Sequence, residues 1–247
     1  MCANARAVEL SPEPLTTTLK RLGIAIVFSI AFGYIEAAVV VYLREIFHPG
    51  GFTFPMTVFG KPPASLRILL TEIGREVSTI VLIFTGAWLF GRNRQQRFAY
   101  FMVIFAVWDV FYYVWLKVLL DWPASIMDWD ILFLIPVIWA SPVFYPILIS
   151  MTVLVFAVVI LCCSSFARPI RTSFLDWLAF SLSALIMVES FCIAGLHSTE
   201  PDYVLHFYRW LFVVGYSLGV ATFLICLLKS ASAREVSEAI ADKGAYN

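Results

Sequence analysis

Six ionisable side chains stand in stretches that are otherwise apolar: Glu36, then Glu72, Arg75 and Glu76, then Asp109, and finally Glu189. On insertion scales a charged side chain at the centre of a bilayer costs about 2.5–3.5 kcal/mol, so such groups are paired, wetted, neutralised or used. Their spacing shows which of them can meet on one helix. Glu72 and Glu76 are one turn apart, and Arg75 is within i,i+3 reach of Glu72. Asp109, Tyr113 and Lys117 step by four with Tyr112 alongside, and His206 and Arg209 are three apart. The candidate binding set is therefore Glu36, Glu72, Arg75, Glu76, Asp109, Tyr113, Lys117, Glu189, His206 and Arg209. Carboxylates outnumber cations in it, which points to a protonated acid, a bound cation or a cationic group on a ligand.

A second, weaker set could hold a metal. His48, His197 and His206 fall in polar connections or at the ends of apolar stretches, and Asp128 with Asp130 forms an Asp-x-Asp pair of the kind that holds a divalent cation against phosphate. The histidines lack the H-x-x-x-H spacing of one helix face, and Asp130 directly before an apolar run is also placed to cap a helix. No Walker loop, nucleophile elbow, H-E-x-x-H helix or dinucleotide fingerprint occurs, and the identity of any cofactor stays open. The five cysteines are scattered and define no disulfide framework.

The elements that must position these residues follow from composition. Of 247 residues, 61% are hydrophobic and 14% charged, and the mean hydropathy is +0.87, which excludes a soluble globule. The 17 basic and 17 acidic residues cancel, which argues against nucleic acid as a partner. Apolar stretches at 22–43, 66–91, 98–120, 131–163, 177–196 and 203–228 each meet the ~20 residues a bilayer demands. The expected fold is an all-α integral membrane protein, a bundle of six transmembrane helices. Three parts follow: a cytoplasmic N-terminal segment (1–21), the six-span domain (22–228) and a cytoplasmic C-terminal tail (229–247).

Basic residues set the orientation, because short cytoplasmic loops retain Lys and Arg. Eleven of the seventeen lie in alternate polar segments: Arg6, Lys20 and Arg21; Arg92, Arg94 and Arg97; Arg168 and Arg171; Lys229, Arg234 and Lys243. Both termini are therefore expected in the cytoplasm, and the protein in a bacterial inner membrane. On this topology Glu36, the Glu72–Glu76 group and Glu189 fall in outer halves of their spans, with Asp109 near the midplane. Loop one (47–63) combines Pro49, Pro55, Pro62 and Pro63 with Phe47, Phe52, Phe54 and Phe59, which predicts a non-helical outer flap. The fourth stretch holds Pro136, Pro142 and Pro146 and is expected to be Pro-kinked or partly re-entrant. Two small-residue seams, Ala25/Ser29/Gly33/Ala37 and Gly215/Gly219, predict close helix approach.

The resulting expectation is an outward-facing, carboxylate-rich cavity that binds or transports a proton, a cation or a small polar ligand. An alternative is a membrane enzyme acting on a lipid or lipid-linked substrate at the outer leaflet, with Arg75 or Arg209 clamping a phosphate. A third is an accessory subunit of a membrane complex. Expected partners are the bilayer, a polar or lipidic ligand from outside and, under the last reading, a second copy or other subunits.

Overall fold

The computed structural model describes residues 14–56, 64–166 and 168–245. Cys2, Arg6, Glu9 and Glu13, and the Phe59, Gly60, Pro62 and Pro63 part of loop one, lie outside the described residues. Among the described residues, six helices carry the chain: α1 (Leu15–Phe47), α2 (Ala64–Phe90), α3 (Arg94–Leu120), α4 (Phe144–Ser165), α5 (Phe174–Leu196) and α6 (Arg209–Ala245). Between α3 and α4 lies a hairpin of β1 (Trp129–Phe133) and β2 (Trp139–Pro142), and a 3₁₀ turn (Tyr203–His206) precedes α6. Among the described residues, five segments are long and apolar enough to cross a bilayer: Leu15–Phe47, Arg94–Leu120, Phe144–Ser165, Phe174–Leu196 and Tyr203–Ala233. The chain is an integral membrane protein. Helix α2 carries Arg67, Glu72, Arg75 and Glu76 and stands outside that apolar set, although its 27 residues would reach about 40 Å.

Local signals explain several boundaries. Asn93 starts α3 by accepting the Gln96 N–H, and Ser173 with Asp176 forms a reciprocal capping box at the start of α5. Asp121 takes a left-handed conformation (φ 51°) and ends α3.

The fourth apolar stretch is not helical throughout. Residues 129–142 form a short antiparallel hairpin pairing Asp130 with Ser141 and Ile131 with Ala140, and a helix starts only at Phe144, within a chain that is otherwise helical and consistent with an all-α membrane protein. Hydropathy measures how apolar a run is and leaves its geometry open. Pro136 cannot donate a backbone hydrogen bond, and Ile131, Phe133, Val137, Ile138 and Trp139 are branched or aromatic residues that suit a strand. Asp130 accordingly sits within β1 and caps no helix.

The bundle is asymmetric along its axis. At the end holding the N-terminal half of α1 it is filled by Ile83, Tyr100, Val103, Ile104, Ala157 and Leu161, all nearly inaccessible. That end is tied by Ser165 donating to the Thr18 hydroxyl (2.8 Å) and by Lys229 on Asp176 (2.8 Å). Helix α1 lies on α3 along the small-residue seam: Ala25, Ser29 and Ala37 are fully buried, and a Cβ at Gly33 would come within 2.9 Å of the Trp108 carbonyl oxygen. Helices α5 and α6 pair around Ser183, whose hydroxyl donates to the Gly215 carbonyl at 2.7 Å. At Gly195, α5 meets the Ile138 carbonyl so closely that no Cβ fits.

Candidate ligand cavity

The opposite end is hollow. A cavity of about 760 Å³ lies among the C-terminal half of α1, the N-terminal half of α2, the C-terminal half of α3, the hairpin, the start of α4 and the C-terminal half of α5. Among the described residues, five carboxylates face it, from Glu36, Glu72, Glu76, Asp109 and Asp130, against two guanidinium groups, from Arg44 and Arg75. The remaining wall is largely apolar, with Leu66 and Leu69 on α2, Phe105 and Trp108 on α3, and Met187 and Phe191 on α5. Helix α2 packs on α3, and α5 packs on α6 and β2, so the two walls supplied by α2 and α5 are not closely packed on each other.

Most of these charges have a definite partner. Arg75 spans two helices, pairing its Nη1 with Glu36 of α1 and donating from Nε to Glu72 at 2.7 Å. Glu36 also accepts the Thr79 hydroxyl at 3.2 Å. Glu76 accepts the backbone N–H of Leu134 at 3.0 Å, which satisfies a main-chain donor near the hairpin tip. A buried backbone N–H outside a regular ladder needs such a partner. Arg44 donates from Nη2 to Asp130 at 2.9 Å, and Asp130 also accepts the Tyr112 hydroxyl at 3.3 Å. The Arg44 guanidinium lies over both Trp122 and Phe52, 3.8 and 4.3 Å from the two ring centroids.

Asp109 differs. Its Oδ2 accepts the hydroxyl of buried Ser150 at 2.7 Å, and among the described residues no cation forms an ion pair with it. The indole nitrogens of Trp108 and Trp139, both on the cavity wall, are buried and find no hydrogen-bond partner among the described residues.

The flap of loop one rims this end, as far as its described part extends. Phe52 packs on Trp122 and on Phe54, Phe54 on Trp129 and Tyr203, and the Met56 N–H donates to the Ser198 carbonyl at 2.8 Å. His48 follows α1 at the cavity edge, where burial and the Arg44 charge both push its pKa below the usual value.

Of the ten binding candidates, Glu36, Glu72, Arg75, Glu76, Asp109 and Tyr113 line the cavity together. The other four stand elsewhere. Glu189 is on an exposed face of α5, Arg209 is exposed at the start of α6, and His206 lies in the α5–α6 connection. Lys117 pairs with exposed Asp121 at 2.7 Å, and that hydrogen bond and charge hold the Asp121 carboxyl below its usual range. The Asp-x-Asp pair is split: Asp128 accepts the N–H groups of Ala124 and Ser125 in a turn, while Asp130 faces Arg44. His197 and His206 do meet, with ring centroids 3.7 Å apart, and His48 is against Phe52 instead. The described cysteines Cys162, Cys163, Cys192 and Cys226 are all free thiols.

Two cavity residues carry no distinct signal in the sequence. Arg44 stands at the edge of the first apolar stretch, where a basic residue reads as an interfacial anchor, although Glu36, Val40 and Arg44 at i, i+4 and i+8 mark one face. Ser150 is indistinguishable from any small residue in a span. No family model matches the chain, and neither curated proteins nor solved structures yield a match.

Proposed function

We propose that this protein binds, and carries across or within the membrane, an amphipathic small molecule whose head group is cationic. The observation that supports this most strongly is Asp109, a carboxyl facing a largely apolar cavity with a serine hydroxyl as its partner and, among the described residues, no cation paired to it. A buried ionised acid in a low-dielectric site needs a counter-charge, and a ligand can bring one. Volume bears on the ligand class. About 760 Å³ falls in the range of small-molecule sites, roughly 300–1,000 Å³, whereas a proton or bare ion needs no such space. The apolar walls suit a hydrocarbon body, and the excess of five carboxylates over two guanidiniums selects a positive head.

In this reading α2 completes a six-span bundle with both termini in the cytoplasm, and the hollow end faces outward. The packed opposite end closes the cavity in the present conformation. The α2 and α5 walls, not closely packed on each other, offer a side entrance from the bilayer for a ligand of this kind.

The test uses the full chain in lipid nanodiscs, with empty nanodiscs as the partition reference, and three probes of equal chain length: dodecylamine, dodecanol and dodecanoate. Dodecylamine should bind at least about tenfold more tightly than dodecanoate, a difference of about 1.4 kcal/mol. Equal or tighter binding of dodecanoate would exclude a cation-selective site.

A further inference from the structure

The connection between α5 and α6 holds a cluster separate from the cavity. His197 is the C-cap of α5, and the chain then coils tightly: the Glu200 N–H donates to the His197 carbonyl (2.9 Å), Tyr203 to Glu200 (3.2 Å) and Leu205 to Asp202 (2.8 Å). Residues 197, 200, 203 and 206 are three apart, the spacing that stacks side chains in a 3₁₀ geometry. Glu200 Oε2 is thereby set between two imidazoles, 3.0 Å from His197 Nδ1 and 3.6 Å from His206 Nε2. Asp202 Oδ2 lies 3.6 Å from the same His206 nitrogen.

These separations can be compared with a metal's demands. Tetrahedral zinc with bonds of about 2.0–2.2 Å places neighbouring donor atoms roughly 3.3–3.6 Å apart, close to the 3.0 and 3.6 Å spacings. The donor atoms of His197, Glu200 and His206 all lie within 4.8 Å of one another. An ordinary hydrogen-bonded cluster accounts for the geometry less well: His197 Nδ1 is buried and faces the carboxylate without hydrogen-bond alignment. The scaffold is held in place beforehand. The Tyr203 ring packs on Trp129 at 4.8 Å and on Phe54 at 5.4 Å, and the Ser198 carbonyl accepts the Met56 N–H.

We propose that His197, Glu200 and His206, with Asp202 as a fourth donor, form a binding site for a zinc-class divalent cation at the α5–α6 junction. Two imidazoles and a carboxylate are the donor set that borderline metals such as zinc favour over magnesium or calcium. The rings are stacked with a 14° interplanar angle, so coordination requires them to swing apart until both nitrogens converge. Their side chains are 35% and 25% exposed, which leaves room for that rotation. The bound ion would staple the end of α5 to the start of α6 and so fix the connection against loop one and the hairpin.

The experiment is zinc titration of the tag-free full chain in detergent against a chromophoric chelator, repeated with cobalt for its visible spectrum. One equivalent of zinc should bind, and the cobalt spectrum should show tetrahedral nitrogen and oxygen ligation. Loss of an outer-sphere partner costs metal sites about 10–100-fold, so removing a ligand, as in Glu200→Gln or His206→Ala, should weaken binding at least about tenfold. His48→Ala should bind as wild type does. The proposal is overturned by binding below one equivalent, by unchanged affinity in both ligand variants, or by a thiolate charge-transfer band assigning the metal to cysteine. Stoichiometry and cobalt spectrum are read on the wild-type chain, so the proposal stands or falls on them even if a variant does not fold.

Discussion

Arg75 holds two carboxylates from different helices, Glu36 on α1 and Glu72 on α2, and removing it would leave both buried without a counter-charge. Breaking a buried pair from one side costs about 3–5 kcal/mol. Arg75→Ala should therefore lower the thermal unfolding temperature in detergent well beyond the effect of Arg94→Ala, since Arg94 is exposed at the start of α3 and an exposed substitution is usually worth within ~0.5 kcal/mol. Equal shifts in the two variants would mean that the Arg75 network contributes nothing to stability. The acids of this network were legible because a charge within an apolar run is conspicuous. The partners on other helices were not, because ion pairing across helices depends on rotation about each helix axis. The i,i+3 pairing of Glu72 with Arg75 was readable from spacing, whereas the Arg44–Asp130 pair joins residues 86 positions apart. Glu189 shows the same gap from the other side: its depth in a span was readable, and the exposed face it occupies was not.

Among the elements, the small-residue seam of α1 was visible as a four-residue repeat, and its partner helix α3 was not. Steric contact makes the seam testable within one helix. A Cβ at Gly33 would press on the backbone of α3, whereas one at Gly23 would meet nothing within 4 Å. Gly33→Ala should destabilise by roughly 1–3 kcal/mol through overpacking, and Gly23→Ala should be neutral or slightly stabilising because alanine favours helix. Thermal unfolding of the two variants distinguishes the effects, and a stable Gly33→Ala would mean that α1 and α3 do not approach as described. The hairpin is the element that hydropathy hid. Three prolines announced an irregular fourth stretch, but two strands joined by a proline-containing turn and a kinked helix share the same apolar profile. What separates them is the destination of the backbone hydrogen bonds, and here Glu76 supplies one by accepting the Leu134 N–H.

For the whole molecule, the apolar helices establish a membrane protein, and the basic residues of alternate connections give the proposed orientation. Reporter fusions after residues 94, 170 and 247 should register as cytoplasmic, and those near 56, 125 and 200 as external. An external signal at 94 would place the hollow end on the cytoplasmic face and reverse the proposed side of access. Composition could announce buried acids at one end of the bundle but could not show a cavity, since an empty volume depends on how far α2 and α5 stand apart. The claim that this volume is a ligand site is tested most directly by a photoreactive long-chain alkylamine irradiated with the protein in nanodiscs, with its adducts mapped by mass spectrometry. The label should concentrate on cavity-wall residues such as Leu69, Phe105 and Met187, and should fall at least about tenfold in Asp109→Asn as the head group loses its counter-charge. Label confined to outward-facing positions such as Leu89, Leu175 and Leu228, with no response to Asp109→Asn, would contradict a ligand site in the cavity.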